Sequence, residues 1–243
     1  MRHTREMATA SIVTIGNELV SGDTVNTNGS WLAARLESLG VDVLMIAAVP
    51  DEQERVAAFV RGQSADADVV LVTGGLGGTP DDVTRESIAA AFGVPQEEQP
   101  AVAEALRARF AGDPDYVTRW AQLPAGSRPL ENPLGGAPGF VLENVYVLPG
   151  LPSEMKAMFE NVAGELAGGS PIGSWRRTYR TTESRIVGVL EARGERHPCV
   201  RIGSYPSFGA DGSAVEIVLK SSDPEALAAA TAWFERELDD LTG

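Results

Sequence analysis

Two rhythms of apolar residues take turns along the first two-thirds of the chain. Short β-branched and leucine-rich runs at residues 11–15, 41–49 and 69–72 predict strands, because a strand packed on both faces is apolar without interruption. Between them the apolar residues recur at helical spacing. Leu32, Leu36 and Leu39 share one face of a helix predicted over 28–39 and stopped by Gly40, and Val56, Phe59 and Val60 share a face over 52–65. A third helix is predicted over 84–92, opened by Thr84 as N-cap and closed by Gly93. Strands and helices in alternation predict parallel pairing and a three-layer α/β/α sandwich. In such sheets ligands sit beyond the carboxyl ends of the strands.

The pattern is less regular from Pro95 to Ala125, which reads as helical. Val102, Leu106 and Phe110 form one stripe, Tyr116, Trp120 and Leu123 another, with Pro100, Pro114 and Pro124 as punctuation. Residues 132–139 are a loop, 140–142 and 145–148 a hairpin around Glu143 and Asn144, and 152 to about 167 a helix. The glycine-rich stretch 168–174 is the linker candidate. After it the order is strand (176–182), helix (183–196), strand (200–204, ending in a Tyr205-Pro206 turn), strand (214–220) and helix (224–238), a small α+β module of the split βαβ kind. The expected organisation is a disordered tail over 1–9, an α/β domain over 10–168 and the α+β domain over 175–243. Trp31, Trp120, Trp175 and Trp233 fall at helical or strand positions and are expected in cores or interfaces.

Composition narrows the chemistry. With 43% hydrophobic and 22% charged residues in 243, the chain is an ordinary globule. No apolar run has the length of a membrane span and no signal-type segment opens it, so a cytoplasmic protein with no membrane partner is expected. Cys199 is the lone cysteine, which excludes an internal disulfide and a cysteine zinc site; His3 and His197 are too few and too placed apart for a histidine-based centre. Asp and Glu number 34 against 20 basic residues, a net charge of −14. Such a surface repels nucleic acid, so no nucleic-acid partner is expected. Only Lys156 and Lys220 are lysine, and this balance suggests an acidic surface of the halophilic type.

Candidate chemistry lies in three segments. In 69–84 an apolar strand stops at Gly74, Gly75, Gly77 and Gly78, followed by Thr79, Asp81 and Asp82. The glycines let backbone N–H groups approach an anion. The loop has no P-loop lysine and does not have the spacing of a dinucleotide fingerprint. In 16–28, Glu18, Asp23, Asn26 and Asn28 offer the hard oxygens that Mg²⁺ prefers, although Asn26 or Thr27 serves equally as a helix N-cap. In 148–154, Gly150, Pro152 and Ser153 lead into a helix whose N–H groups or Ser153 hydroxyl could meet a phosphate; Glu154 there reads either as a ligand or as compensation of the helix dipole. Acids at two strand ends, Glu18 and Asp23 with Asp81 and Asp82, converge by topology.

These three motifs, with 132–140 and 201–206, resemble the molybdopterin-binding (MoaB/MogA-like) superfamily over essentially the whole chain. The closest branch resembles the N-terminal domain of CinA, the competence/damage-inducible protein, and the similar domain of eukaryotic FAD synthases. The resemblance implies a three-layer fold, a homodimer or homotrimer, and a site between the glycine loop and the Pro-Gly loop for a small nucleotide or pterin phosphate. In the CinA branch it implies hydrolysis of a nucleotide pyrophosphate, ADP-ribose or FAD-like, with a divalent metal of the Mg or Co type and K⁺ as a further candidate ion. On that reading Gly74, Gly75, Gly77, Gly78, Thr79, Asn26, Asn28, Gly150, Pro152 and Ser153 hold the ligand. Asp82, Asp81 and Glu18 are catalytic, and Asp82, Asp23 and Glu154 are metal ligands. One departure is that the cofactor enzymes show Arg-Asp where this chain has Asp81-Asp82, which favours a metal over a bare pterin phosphate. Two other functions stay open: a non-catalytic molybdopterin or nucleotide-binding protein, and an adenylyl transferase of molybdenum cofactor assembly.

Overall fold

The computed structural model describes residues 8–110, 112, 118–209 and 212–242. Residues 1–7 of the expected tail, Pro114 and Tyr116 lie outside these. The chain divides into two compact units, Met1–Gly169 and Ser170–Gly243.

The first unit is built on a six-stranded sheet, with β1 (Thr9–Ile15), β2 (Asp42–Val49), β3 (Val69–Thr73), β6 (Arg128–Leu130), β7 (Gly139–Leu142) and β8 (Val145–Leu148) in the order β2-β1-β3-β8-β7-β6. The first four neighbours are parallel; β7 and β6 add antiparallel strands at one edge. Helices α2 (Thr27–Ser38) and α6 (Pro152–Leu166) cover one face, where Leu32, Leu36, Met155 and Phe159 meet Ile12 and Leu71. Helices α3 (Gln53–Asp66) and α4 (Thr84–Phe92) cover the other, where Val56, Val60 and Ile88 meet Val13, Val70 and Val72. Successive residues of β3 therefore serve opposite cores, which is why its sequence is apolar throughout. Phe140 and Phe159 are fully buried, each worth roughly 1.5–3 kcal/mol of transfer free energy.

The order of strands fixes the site. From β1 the chain crosses to β2 on one side, then returns to lay β3 on the other side of β1. The connections that leave β1 and β3 head to opposite sides, toward β2 and toward β8, leaving a crevice at their carboxyl ends.

Several elements differ from the sequence-based expectation. The segment 95–125 is not helical throughout: α5 (Pro100–Arg109) and a 3₁₀ turn (Arg119–Ala121) lie between β4 (Gln96–Glu98) and β5 (Gln122–Pro124), which pair antiparallel. A short helix, α1 (Asn17–Ser21), occupies what reads as loop. Thr84 is not the N-cap of α4. Val83 takes that position, and the buried Thr84 hydroxyl donates to the Gly74 carbonyl at 2.8 Å. Thr9 already belongs to β1, its N–H and hydroxyl both donating to Asp68 at 2.8 Å.

The second unit has a three-stranded antiparallel sheet, β9 (Gly173–Tyr179), β10 (Arg201–Gly209) and β11 (Gly212–Ser221), ordered β10-β11-β9, with α7 (Glu183–Arg196) and α8 (Pro224–Thr242). Its core gathers Ile186, Val200, Ile217, Leu219 and Phe234. Strand β10 runs through Tyr205 and Pro206 instead of turning there. It is an edge strand, so the N–H that Pro206 lacks need not be missed by a neighbour. Among the described residues no helix is long and apolar enough to cross a membrane.

Candidate functional site

A cavity of about 140 Å³ opens at the carboxyl ends of β1 and β3, lined among others by Thr14, Glu18, Asn26, Asn28, Thr73, Gly74, Gly150 and Pro152. Two helices begin at its wall. Asn26 caps α2, its Oδ1 accepting from the Gly29 N–H at 3.0 Å while its Nδ2 donates to the Thr14 hydroxyl at 2.8 Å. Helix α6 begins after Leu151 with Pro152 in its first turn and no side-chain cap. The positive dipole ends of both helices, with the uncapped N–H groups at the start of α6, make this wall attractive to an anion. Asn28 joins the two sides: its Nδ2 donates to the Gly150 carbonyl at 2.8 Å and lies 3.4 Å from the Thr73 hydroxyl, which in turn donates to the Pro149 carbonyl at 2.7 Å. Asn28 Oδ1 is buried without a hydrogen-bond partner among the described residues. Ser153 is exposed in the first turn of α6.

The glycine loop borders the cavity and is held in shape from behind. Gly74 (φ 110°) and Gly75 (φ 61°) occupy backbone conformations that side chains disfavour. At Gly74 a Cβ would also collide with the Ile15 carbonyl, and at Gly75 with the Thr84 hydroxyl. The carbonyls of this loop are turned away from the cavity. Arg85 donates to Leu76 O at 2.7 Å and Gly77 O at 2.6 Å, and Arg119 donates to Gly78 O at 3.2 Å. Arg85 is only 3% exposed and holds these carbonyls from within the fold.

Asp82 belongs to the same device. Its Oδ1 accepts from the Gly77 N–H at 2.9 Å, and its Oδ2 from the Thr79 N–H at 2.8 Å and the Thr79 hydroxyl at 2.5 Å. Both oxygens are thus engaged in closing the loop, and Asp82 lines a second cavity behind it. Asp81 is exposed, and its carboxyl is held below the ordinary range by the neighbouring Thr79 hydroxyl, whose proton it shares with Asp82, and by its own N–H.

A residue outside the three sequence motifs ties the acids together. Asp51, just beyond β2, accepts the Asn17 N–H at 2.7 Å. Its carboxyl is pushed above the ordinary value, first by burial and then by the charges of Glu18, Asp81 and Asp82, against the lowering effect of the Asn17 hydrogen bond. Glu18 folds its carboxylate back beside Gly16. The charges of Glu18, Asp81 and Asp82 are felt at Asp51, although Glu18 and Asp82 line different cavities.

The other two acids have local partners. Asp23 accepts the Ser21 hydroxyl at 2.6 Å in the turn after α1. Glu154 accepts Asn132 Nδ2 at 2.9 Å and lies beside Gly136. Among the described residues, no group of three His, Cys, Asp or Glu side chains is placed to hold a metal ion by itself. Asp82, Asp23 and Glu154, expected together as metal ligands, are not gathered into such a group.

Comparison with known proteins agrees with this architecture. Residues 11–168 match the family described as the probable molybdopterin binding domain, and residues 178–242 match the FAD synthase middle domain. The chain belongs to the probable molybdopterin binding domain family and is of the CinA type. A protein of Archaeoglobus fulgidus is 37% identical over 229 residues, covering 94% of this chain and 97% of that one. A CinA-like protein of Frankia casuarinae is 42% identical over 214 residues, 80% of this chain but 49% of its own length. The chain thus spans about half of that relative. The crystal structure of CinA from Thermoplasma acidophilum, 31% identical, superimposes with a TM-score of 0.62 over 66% of this chain and 98% of that one.

Proposed function

We propose that the chain binds a nucleotide diphosphate at the crevice between β1 and β3 and hydrolyses it with a divalent cation. The observation that carries this reading is the convergence of two helix N-termini, those of α2 and α6, on a cavity bordered by the Gly74 loop. Helix starts match phosphate oxygens, while two N–H groups of the glycine loop are already engaged, Gly74 by the Leu148 carbonyl and Gly77 by Asp82. The substrate class is ADP-ribose or an FAD-like dinucleotide, and the match of residues 178–242 to the FAD synthase middle domain favours testing both.

A diphosphate without a counter-ion would be repelled by the acidic rim. The residues fit a cation of the Mg²⁺ kind, which needs only one or two carboxylates when phosphate oxygens and waters complete its shell. Glu18 and Asp51 are assigned that task. Asp82 acts by positioning the loop. Asp23 and Glu154 stay with their local partners. When bound, the cation supplies charge neutralisation and a more acidic water. The water oxygen bonds to one phosphorus while the bridging P–O bond breaks, and its proton passes to a rim carboxylate and then to solvent. The products are AMP and a sugar phosphate, or AMP and FMN from FAD.

The test is to incubate the protein with ADP-ribose, FAD or NAD, with Mg²⁺ or Co²⁺, at low and high KCl. Free AMP that appears only with the divalent ion is the expected result. Ligand retained through purification with no product under any ion would indicate a binding module instead. AMP transferred onto an added pterin would indicate the adenylyl transferase.

A further inference from the structure

Strand β2 lies at one end of the six-stranded sheet and, among the described residues, pairs with β1 alone. Its other edge presents backbone N–H and C=O groups to whatever lies beside it. Edge strands are ordinarily guarded by lysine, proline, charge or a bulge. Between Val43 and Val49 there is no charge, lysine or proline. The one bulge, at Leu44, falls near the start of the strand, and Met45–Val49 run in regular register with Ser11–Ile15. Leu44, Met45 and Ile46 are 51%, 39% and 44% exposed. Single exposed apolar residues are ordinary, whereas three in succession on an unguarded edge mark a contact surface. They continue into a groove of about 560 Å³ formed by Ala47, Val49 and Pro50 with Arg55, Ala58 and Phe59 of α3.

We infer that this edge seats a second copy of the chain, the two β2 strands pairing antiparallel about a two-fold axis at Ile46. That axis sets Leu44 opposite Ala48, Met45 opposite Ala47, and Ile46 opposite its own copy. Large side chains thus meet small ones along the whole contact, a match that a foreign strand has no reason to reproduce. Charge favours the same arrangement. Each copy carries −14, so two copies repel unless the contact excludes like charge, and residues 43–50 carry none. Asp42, at one end of β2, is brought to the far end of the other copy, where Arg55 lines the groove. Asp51 at that end is turned to the Asn17 N–H. A parallel pairing in register would instead set Leu44 on Leu44 and Asp42 on Asp42. An antiparallel contact between identical edges is closed at two copies, so the edge selects the dimer over the trimer. The contact is independent of the reaction proposed for the crevice, and its test uses no nucleotide.

Sedimentation of the whole chain from low to high micromolar concentration should show a dimer. Ile46→Glu sets two carboxylates opposite each other at the axis, so it should weaken association roughly a hundredfold or more while the far-UV circular dichroism stays unchanged. A cysteine at the axis reads the geometry directly. Opposite Cα atoms in an antiparallel pair are about 4.5–5.5 Å apart, within the span of a disulfide. In a Cys199→Ser background, Ile46→Cys should therefore give a covalent dimer under mild oxidation. Leu134→Cys should not, although Leu134 is 53% exposed, because it lies in the loop after β6 at the opposite edge of the sheet. A monomer at every concentration, a trimer, or a dimer that Ile46→Glu leaves intact overturns the inference. So does a dimer that Ile46→Cys fails to cross-link. If Ile46→Glu does not fold, the unmodified chain and the cysteine pair decide the matter alone.

Discussion

Arg85→Leu should lower the free energy of unfolding by about 2–6 kcal/mol, because it leaves the Leu76 and Gly77 carbonyls without their donor and each unmatched buried group costs roughly 1–3 kcal/mol. Leucine fills the space but offers no N–H. Arg85→Lys should rescue little, since one ammonium cannot present the two-pronged donor that reaches both carbonyls. The loss is read from urea unfolding midpoints. Diphosphate affinity should fall with it, because carbonyls released from Arg85 are free to turn toward the crevice and face phosphate oxygens. A midpoint shift worth less than about 1 kcal/mol, the ordinary scale of a surface substitution, would mean that the loop keeps its shape without this residue.

The second large effect is a contrast between two aspartates. In Asp82→Asn, the new amide NH₂ would confront the Thr79 N–H and hydroxyl, so the loop should lose about 2 kcal/mol whether or not a cation is present. Asp51→Asn should do the opposite to the unliganded protein. The Asp51 carboxyl is held above its ordinary value of 3.8, so the native state binds its proton more tightly than the unfolded chain. The corresponding stability is present below that ordinary value and is lost as pH rises through the raised one. Asparagine never ionises and can still accept the Asn17 N–H, so its thermal midpoint should exceed that of the unmodified chain at neutral pH and converge with it in acid. Its cation-dependent ligand affinity should nonetheless fall by roughly tenfold or more, as for loss of one charge-assisted contact. If Asp51→Asn lowers the midpoint and leaves affinity intact, the rim assignment is wrong.

Much of this architecture was legible locally. The runs 11–15 and 69–72 are strands because both faces of the sheet are covered, and Glu143-Asn144 turns a hairpin because Asn144 reaches Ser64 and Ala67. The ligand loops announced themselves because glycine, proline and asparagine are rare together without a backbone reason. What the sequence hid is non-local. Strands β4 and β5 are three residues each, and their pairing depends on a partner more than twenty residues away. Asp51 follows a proline in no motif; only the parallel register of β1 and β2 brings it beside Asn17 and the other acids. Arg85 reads as a charge on a helix surface, and is buried because the loop folds back over the first turn of α4. Periodicity reports which face of an element is apolar, and says nothing of a loop that returns to cover it.

The central claim is that a diphosphate reaches the acidic crevice only in company with a cation. Phosphorus NMR of ADP-ribose mixed with the protein, first in EDTA and then in excess Mg²⁺, addresses it directly. Free-ligand signals in EDTA, displaced and broadened diphosphate signals on adding Mg²⁺, and their conversion into phosphomonoester signals are the expected sequence. Diphosphate signals that shift equally in EDTA, or that remain unmoved by the protein in Mg²⁺, would contradict it.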